Sequence, residues 1–115
     1  MSLAIKALFE PVRTLGHAAI GPAYVGVGTA LNFPIRIIFV QNFTNAPLMF
    51  SFNGDANIDH FPLAPSSFLL LDLSSNKTLD TGYFIAKGDR LSVKTMGVAV
   101  TTGEVWFSSL YGVDY

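Results

Sequence analysis

The chain has 115 residues, enough for one domain with a sizeable core, and no cysteine, which excludes disulfides and thiolate metal sites. A formal net charge of -1 with no long basic run gives no electrostatic basis for binding nucleic acid or an anionic membrane. Only 13% of residues are charged, against roughly 25% in ordinary globular domains, and 50% are hydrophobic. Much of the surface of so small a body must then be apolar, which is the property of a component docked against partners.

Residues 1–16 differ from the rest. Leu3, Ile5, Leu8, Phe9, Val12 and Leu15 are apolar without clean alternation, and Pro11 stands where a helix interior would not tolerate it. They read as an extended N-terminal arm with one helical turn at most, lying on the body of the protein or on a neighbouring subunit. Glu10 and Pro11 also interrupt before an apolar core of a signal peptide is complete, and no run reaches about 18 uninterrupted apolar residues.

From residue 17 to 115 the grammar is strand and turn. Residues 23–31 carry Val25, Val27 and Thr29 in alternation with Gly26 and Gly28, a strand with a bulge or a close backbone neighbour. In residues 35–42, Ile35, Ile37 and Phe39 face one way and Arg36, Ile38 and Val40 the other, as in a central or doubly covered strand. Asn42, Thr44, Asn45 and Pro47 make a turn, and residues 48–53 alternate as a half-buried strand. Residues 54–60 form a polar loop, and 61–67, with two prolines, an extended edge or loop. Short strands follow at 68–73, 83–85, 90–94 and 104–111, with a polar connection at 76–81, a tight turn at Lys87-Gly88-Asp89 and a loop at 96–102. Seven or eight short strands at intervals of 8–12 residues, with no helical pattern between them, predict an all-β antiparallel sandwich or jelly roll.

Chemistry is sparse. His17 lies in the arm and His60 in a polar loop, and no G-x-S-x-G elbow occurs. Asp55-Ala56-Asn57-Ile58-Asp59 opens like a calcium loop, but His60 and Ser66 stand where that loop needs Gly and Glu. Asp55, Asn57 and Asp59 keep a different oxygen-ligand site open beside the plainer reading of a turn. Gly26-Val27-Gly28 lacks the third glycine and helix start of a nucleotide loop. Glu10 and Glu104 are the two glutamates, so a glycosidase pair has few candidates. Trp106, Tyr111 and Tyr115 are candidates for stacking sugars, the basis of an alternative as a carbohydrate-binding module. No enzyme activity and no cofactor are expected. The ten phenylalanines point to interaction chemistry instead, and Phe33, Phe43 and Phe61 in or beside loops, with Leu3, Ile5, Leu8 and Phe9 of the arm, are the candidate interface residues.

The motifs also stand in a familiar order. Asn42-Phe43-Thr44-Asn45 leads to Ser51-Phe52-Asn53-Gly54, then Leu70-Leu71-Asp72 with Asn76-Lys77, Gly88, Val93-Lys94, Gly103-Glu104-Val105-Trp106 and Tyr111-Gly112. Over residues 18–112 this resembles a group of small structural proteins of tailed bacteriophages. The resemblance implies a β-sandwich virion component, either a capsid decoration or cement protein or a head–tail junction or tail accessory protein. It implies partners among its own copies and among capsid, portal or tail proteins, and no catalytic residues travel with it.

Overall fold

A computed structural model describes residues 5–73 and 85–114 of the chain. Among these residues it is an all-β sandwich of nine strands in two antiparallel sheets. The strands are β1 (Ile5–Phe9), β2 (Arg13–Gly16), β3 (Val25–Gly26), β4 (Ile37–Asn42), β5 (Leu48–Ser51), β6 (Phe61–Leu63), β7 (Ser67–Asp72), β8 (Ser92–Thr95) and β9 (Glu104–Asp114). The first sheet runs β1, β9, β4, β7, with β2 sharing the outer side of β9 with β1. The second runs β3, β8, β5, β6. Leu3 and residues 76–81, together with Tyr83 and Phe84 of the expected 83–85 strand, lie outside the described residues; Ile85 forms a single bridge to Ile35.

Alternation builds the core. Ile38 and Val40 of β4 and Val105 and Phe107 of β9 meet Leu48 and Phe50 of β5, Leu63 of β6 and Val93 of β8. β-branched and aromatic side chains suit this half-buried pleated surface. At the end of β4 a fully buried Asn42 closes one end of the sandwich. Its amide donates to the carbonyls of Ala46 (3.1 Å) and Leu63 (3.0 Å), and its oxygen accepts from the Thr44 hydroxyl (2.6 Å) and backbone N–H (2.9 Å). So satisfied, it costs the core little and fixes the turn.

Among the described residues the N-terminal segment is extended, with no helical turn from Ile5 to Gly16; a three-residue 3-10 turn, His17–Ala19, comes after. Phe9 pairs with Leu110 but Arg13 with Phe107, so residues 10–12 carry one residue more than the strand opposite. This bulge, at Pro11, reverses the parity of the strand. Glu10 and Arg13, three apart, would otherwise face opposite ways. Here both point inward and form a buried ion pair of 2.6 Å. Arg13 also donates to the carbonyls of Thr29 (2.8 Å) and Ala30 (3.0 Å), and Glu10 accepts from the Asn32 backbone N–H (3.2 Å). The pair thereby clamps the β1–β2 corner to the loop after β3.

Two expected elements differ. The strand over 23–31 is reduced to Val25–Gly26, because Gly28 turns to φ +68° where Arg13 packs against it. A bend at Arg36 also separates Ile35 from Ile37. Ile35 is fully buried, whereas Ile37 and Phe39 face outward. The backbone N–H of Arg36 donates to Leu110 while its carbonyl accepts from Leu73, so the residue is twisted between two neighbours.

Candidate interaction surface

The two outer faces of the sandwich are treated very differently. The second sheet is covered by its own loop, residues 52–60. Gly54 sits so close that an added Cβ would lie 2.8 Å from the Ser92 side chain. The Tyr24 hydroxyl donates to Asp59 (2.6 Å), and the Lys94 ammonium contacts Asp59 (3.1 Å) and Asn57 (3.3 Å) while lying 4.7 Å from the Tyr24 ring centre. The bond from Tyr24, then that from Lys94, holds the Asp59 carboxyl below its ordinary value. Burial and the bond to Asp59 push the Tyr24 hydroxyl well above the usual phenol range. Two oxygens of the D-x-N-x-D segment thus face an ammonium supplied by the chain. Among the described residues no three His, Asp or Glu side chains gather as a metal site requires.

Beside this loop lies an open cleft of about 520 Å³ lined by Tyr24, Gly26, Asn53, Asp55, Arg90 and Ser92. The Arg90 guanidinium crosses Gly26 and donates to the Gly28 carbonyl (2.7 Å), so its charge is already engaged. The two histidines are tied to backbone elsewhere. His17 Nδ1 donates to the Gly103 carbonyl (3.1 Å), and His60 Nδ1 accepts from the Phe52 N–H (3.0 Å).

The outer face of the first sheet is bare among the described residues. Register places its side chains in rows, because directly opposed residues share a face. Phe9, Leu110 and Ile37 form one row, Ser108, Phe39 and Leu70 the next, and Thr14, Trp106, Gln41 and Phe68 a third. Phe9 is 69% exposed, Phe68 62% and Leu70 59%. Ile37, Phe39, Trp106 and Leu110 are half-buried by one another, with Phe39 and Phe68 edge to face at 5.4 Å. The three most exposed side chains alone leave roughly 300 Å² to solvent, and the whole patch about 500 Å². Asp72 closes the first row beside Ile37 and Glu104 lies beyond the third; the other positions of the three rows carry no ionisable side chain. Contiguous apolar area of this size lies at the upper end of what a monomer exposes, and it makes this face the candidate interaction surface.

The candidate residues read from the sequence do not form one surface. Phe9 lies on this outer face, and Phe43, 52% exposed, continues it just past β4, where its N–H donates to Glu104 (3.0 Å). Leu8 points the opposite way, opposite Tyr111. Phe33 is stacked on Tyr111 with ring centres 3.8 Å apart, and Phe61 is stacked on the buried Phe50 at 5.3 Å as part of the core. Ile5 pairs with Asp114, and Leu3 is outside the described residues. Trp106 and Tyr111 lie on opposite faces of β9 and make no shared platform for a sugar. The residues that sequence reasoning missed are Ile37, Phe39, Phe68, Leu70, Trp106 and Leu110. Their signal was strands apolar on both faces in a chain with no helix to cover the second face.

Fold and surface together define an antiparallel β-sandwich with one sheet capped by its own loop and the other open and apolar. No protein-family model matches this chain, and no curated protein is similar to it.

Proposed function

We propose that this protein is a non-enzymatic structural subunit of a larger assembly, and that the assembly is the virion of a tailed bacteriophage. There it would serve as a capsid decoration or cement protein, or as a head–tail junction or tail accessory protein. Its partners would be copies of itself and capsid, portal or tail proteins. The observation that carries the subunit reading is the apolar outer face of the first sheet. The order of strand and turn motifs over residues 18–112 supports the phage setting.

The energetics fit a subunit. Covering about 500 Å² of apolar surface yields a gross gain on the order of 12 kcal/mol at about 25 cal/mol per Å². Association costs roughly 4–15 kcal/mol, so one such contact is marginal. A symmetric particle repeats it, and linked copies hold by avidity where single contacts would not.

The test is co-expression with the genes that neighbour this one, followed by sedimentation of any particles formed. Wild-type protein is expected in the particle fraction. Phe39→Lys, which charges the middle of the outer face, is expected to stay free while its circular dichroism is unchanged. Wild-type chain that stays out of the particle fraction, or particles that take up Phe39→Lys equally well, overturn the proposal.

A further inference from the structure

Three of the four sheet edges carry features that discourage further pairing. β3 is two residues long, β6 is three residues with Pro62 at its centre, and the β1–β2 edge is broken by the bulge at Pro11. β7 has none of these. It runs for six residues, Ser-Phe-Leu-Leu-Leu-Asp, with no proline, no lysine and a charge only at its last position.

The hydrogen bonds around β4 show which groups of β7 are free. Asn42 and Arg36 accept from Ser66 and Leu73, while Phe43 donates to Glu104 of β9. Even-numbered positions of β4 therefore bond toward β7, and the register pairs them with Leu71, Leu69 and Ser67. The N–H and C=O of Phe68 and Leu70 point the other way. Among the described residues nothing pairs with them on that side. The same two residues carry the most exposed apolar side chains of the strand.

Resting on the subunit reading above, we propose that β7 pairs antiparallel with β7 of a second copy, joining the two first sheets into one. The strand is self-complementary in a register centred on Leu69. Phe68 then lies opposite Leu70 of the second copy, and Leu70 opposite its Phe68. Each opposed pair exchanges two backbone bonds, four in all, and satisfies every free group of Phe68 and Leu70. On the outer face this makes two aromatic–aliphatic cross-strand pairs. On the inner side Leu71, 37% exposed, comes opposite Ser67 of the second copy. No like charges oppose each other. The apolar outer face then runs unbroken across both copies, so a third protein would meet a surface twice as wide.

The experiment is sedimentation equilibrium over a concentration series, with amide exchange of the full chain. Wild type is expected to reach twice the 12.4 kDa chain mass, with the Phe68 and Leu70 amides protected in the dimer and exchanging freely on dilution. Leu70→Pro removes an edge donor without touching a β4–β7 bond, at a position where sheets accept proline. Leu70→Lys charges the same spot, and decides the matter if the proline variant fails to fold. Each is expected to raise the dissociation constant at least about tenfold. Phe9→Lys, on the same face at the far edge, is expected to leave dimerisation unchanged. A monomer at every concentration, fast exchange of both amides in a dimer, or a dimer that survives both Leu70 variants but not Phe9→Lys would overturn edge pairing. Particle uptake is read separately. A monomeric wild type that enters particles while Phe39→Lys does not refutes the paired edge and leaves the subunit function standing.

Discussion

Arg13→Met is the sharpest test of how the β1–β2 corner is held. Arg13 is 6% exposed and Glu10 3%, and the ion pair between them is 2.6 Å long. Methionine keeps the length of the stem and some contact with the Phe107 ring, over which the guanidinium now lies at 5.7 Å. It removes the donors to Glu10, Thr29 and Ala30. Breaking a buried pair from one side leaves an uncompensated charge and costs about 3–5 kcal/mol. Against a typical domain stability of 5–15 kcal/mol this is a large fraction. In a chain of this length it corresponds to a fall in Tm of roughly 10–20 °C. Adding Glu10→Gln removes the orphaned charge and keeps an acceptor for the Asn32 N–H. The double variant is therefore expected to recover stability, with about 2 kcal/mol still missing for the unpaired carbonyls of Thr29 and Ala30. Urea denaturation of the wild type, both single variants and the double variant measures the coupling. A loss below about 1 kcal/mol in Arg13→Met, or a double variant less stable than Arg13→Met alone, would refute the clamp. Phe9 immediately precedes the clamp, so loosening the corner also loosens one corner of the apolar face.

Other outcomes follow from the covering loop and from one glycine. The folded Asp59 carboxyl titrates below its unfolded value of about 3.9, so its contribution is present above that value and lost as pH falls through the lower, folded one. Protection of the amides of residues 53–59, taken relative to the intrinsic exchange rate at each pH, is expected to be present at neutral pH and to be lost in strong acid. In Asp59→Asn it is expected to be weaker already at neutral pH; wild-type protection that is the same in acid would contradict the Tyr24–Asp59–Lys94 contact. Gly103 has φ +88°, and an added Cβ would run into the Phe43 carbonyl, which is backbone and cannot step aside. Gly103→Ala is therefore expected to cost about 2–4 kcal/mol in thermal or urea unfolding. Gly26→Ala meets only the end of the Arg90 side chain and is expected to cost about 1 kcal/mol, the worth of the Arg90–Gly28 bond. Equal losses at the two glycines would contradict the distinction.

What the amino-acid order determined by itself was local. Alternation of Leu48 and Phe50 with Met49 and Ser51, and of Val105 and Phe107 with Trp106 and Ser108, was enough to define strands and their two faces. The turn at Lys87-Gly88-Asp89 and the edge position of the proline-bearing segment at 61–63 were equally legible, since each depends on backbone chemistry within a few residues. Period-2 arithmetic failed at the bulge of residues 10–12 and at the bend of Arg36, where one irregular residue exchanges inside for outside for everything that follows. A bulge is set by the strand across from it, here β9, nearly a hundred residues away. Only tertiary structure decided that residues 52–60 fold over one sheet and that nothing among the described residues covers the other. Alternation states which side chains share a face; whether that face is covered depends on which distant segment packs there. That is why Phe33 and Phe61, read as free, stack on Tyr111 and Phe50, while Phe39, read as part of a doubly covered strand, faces outward.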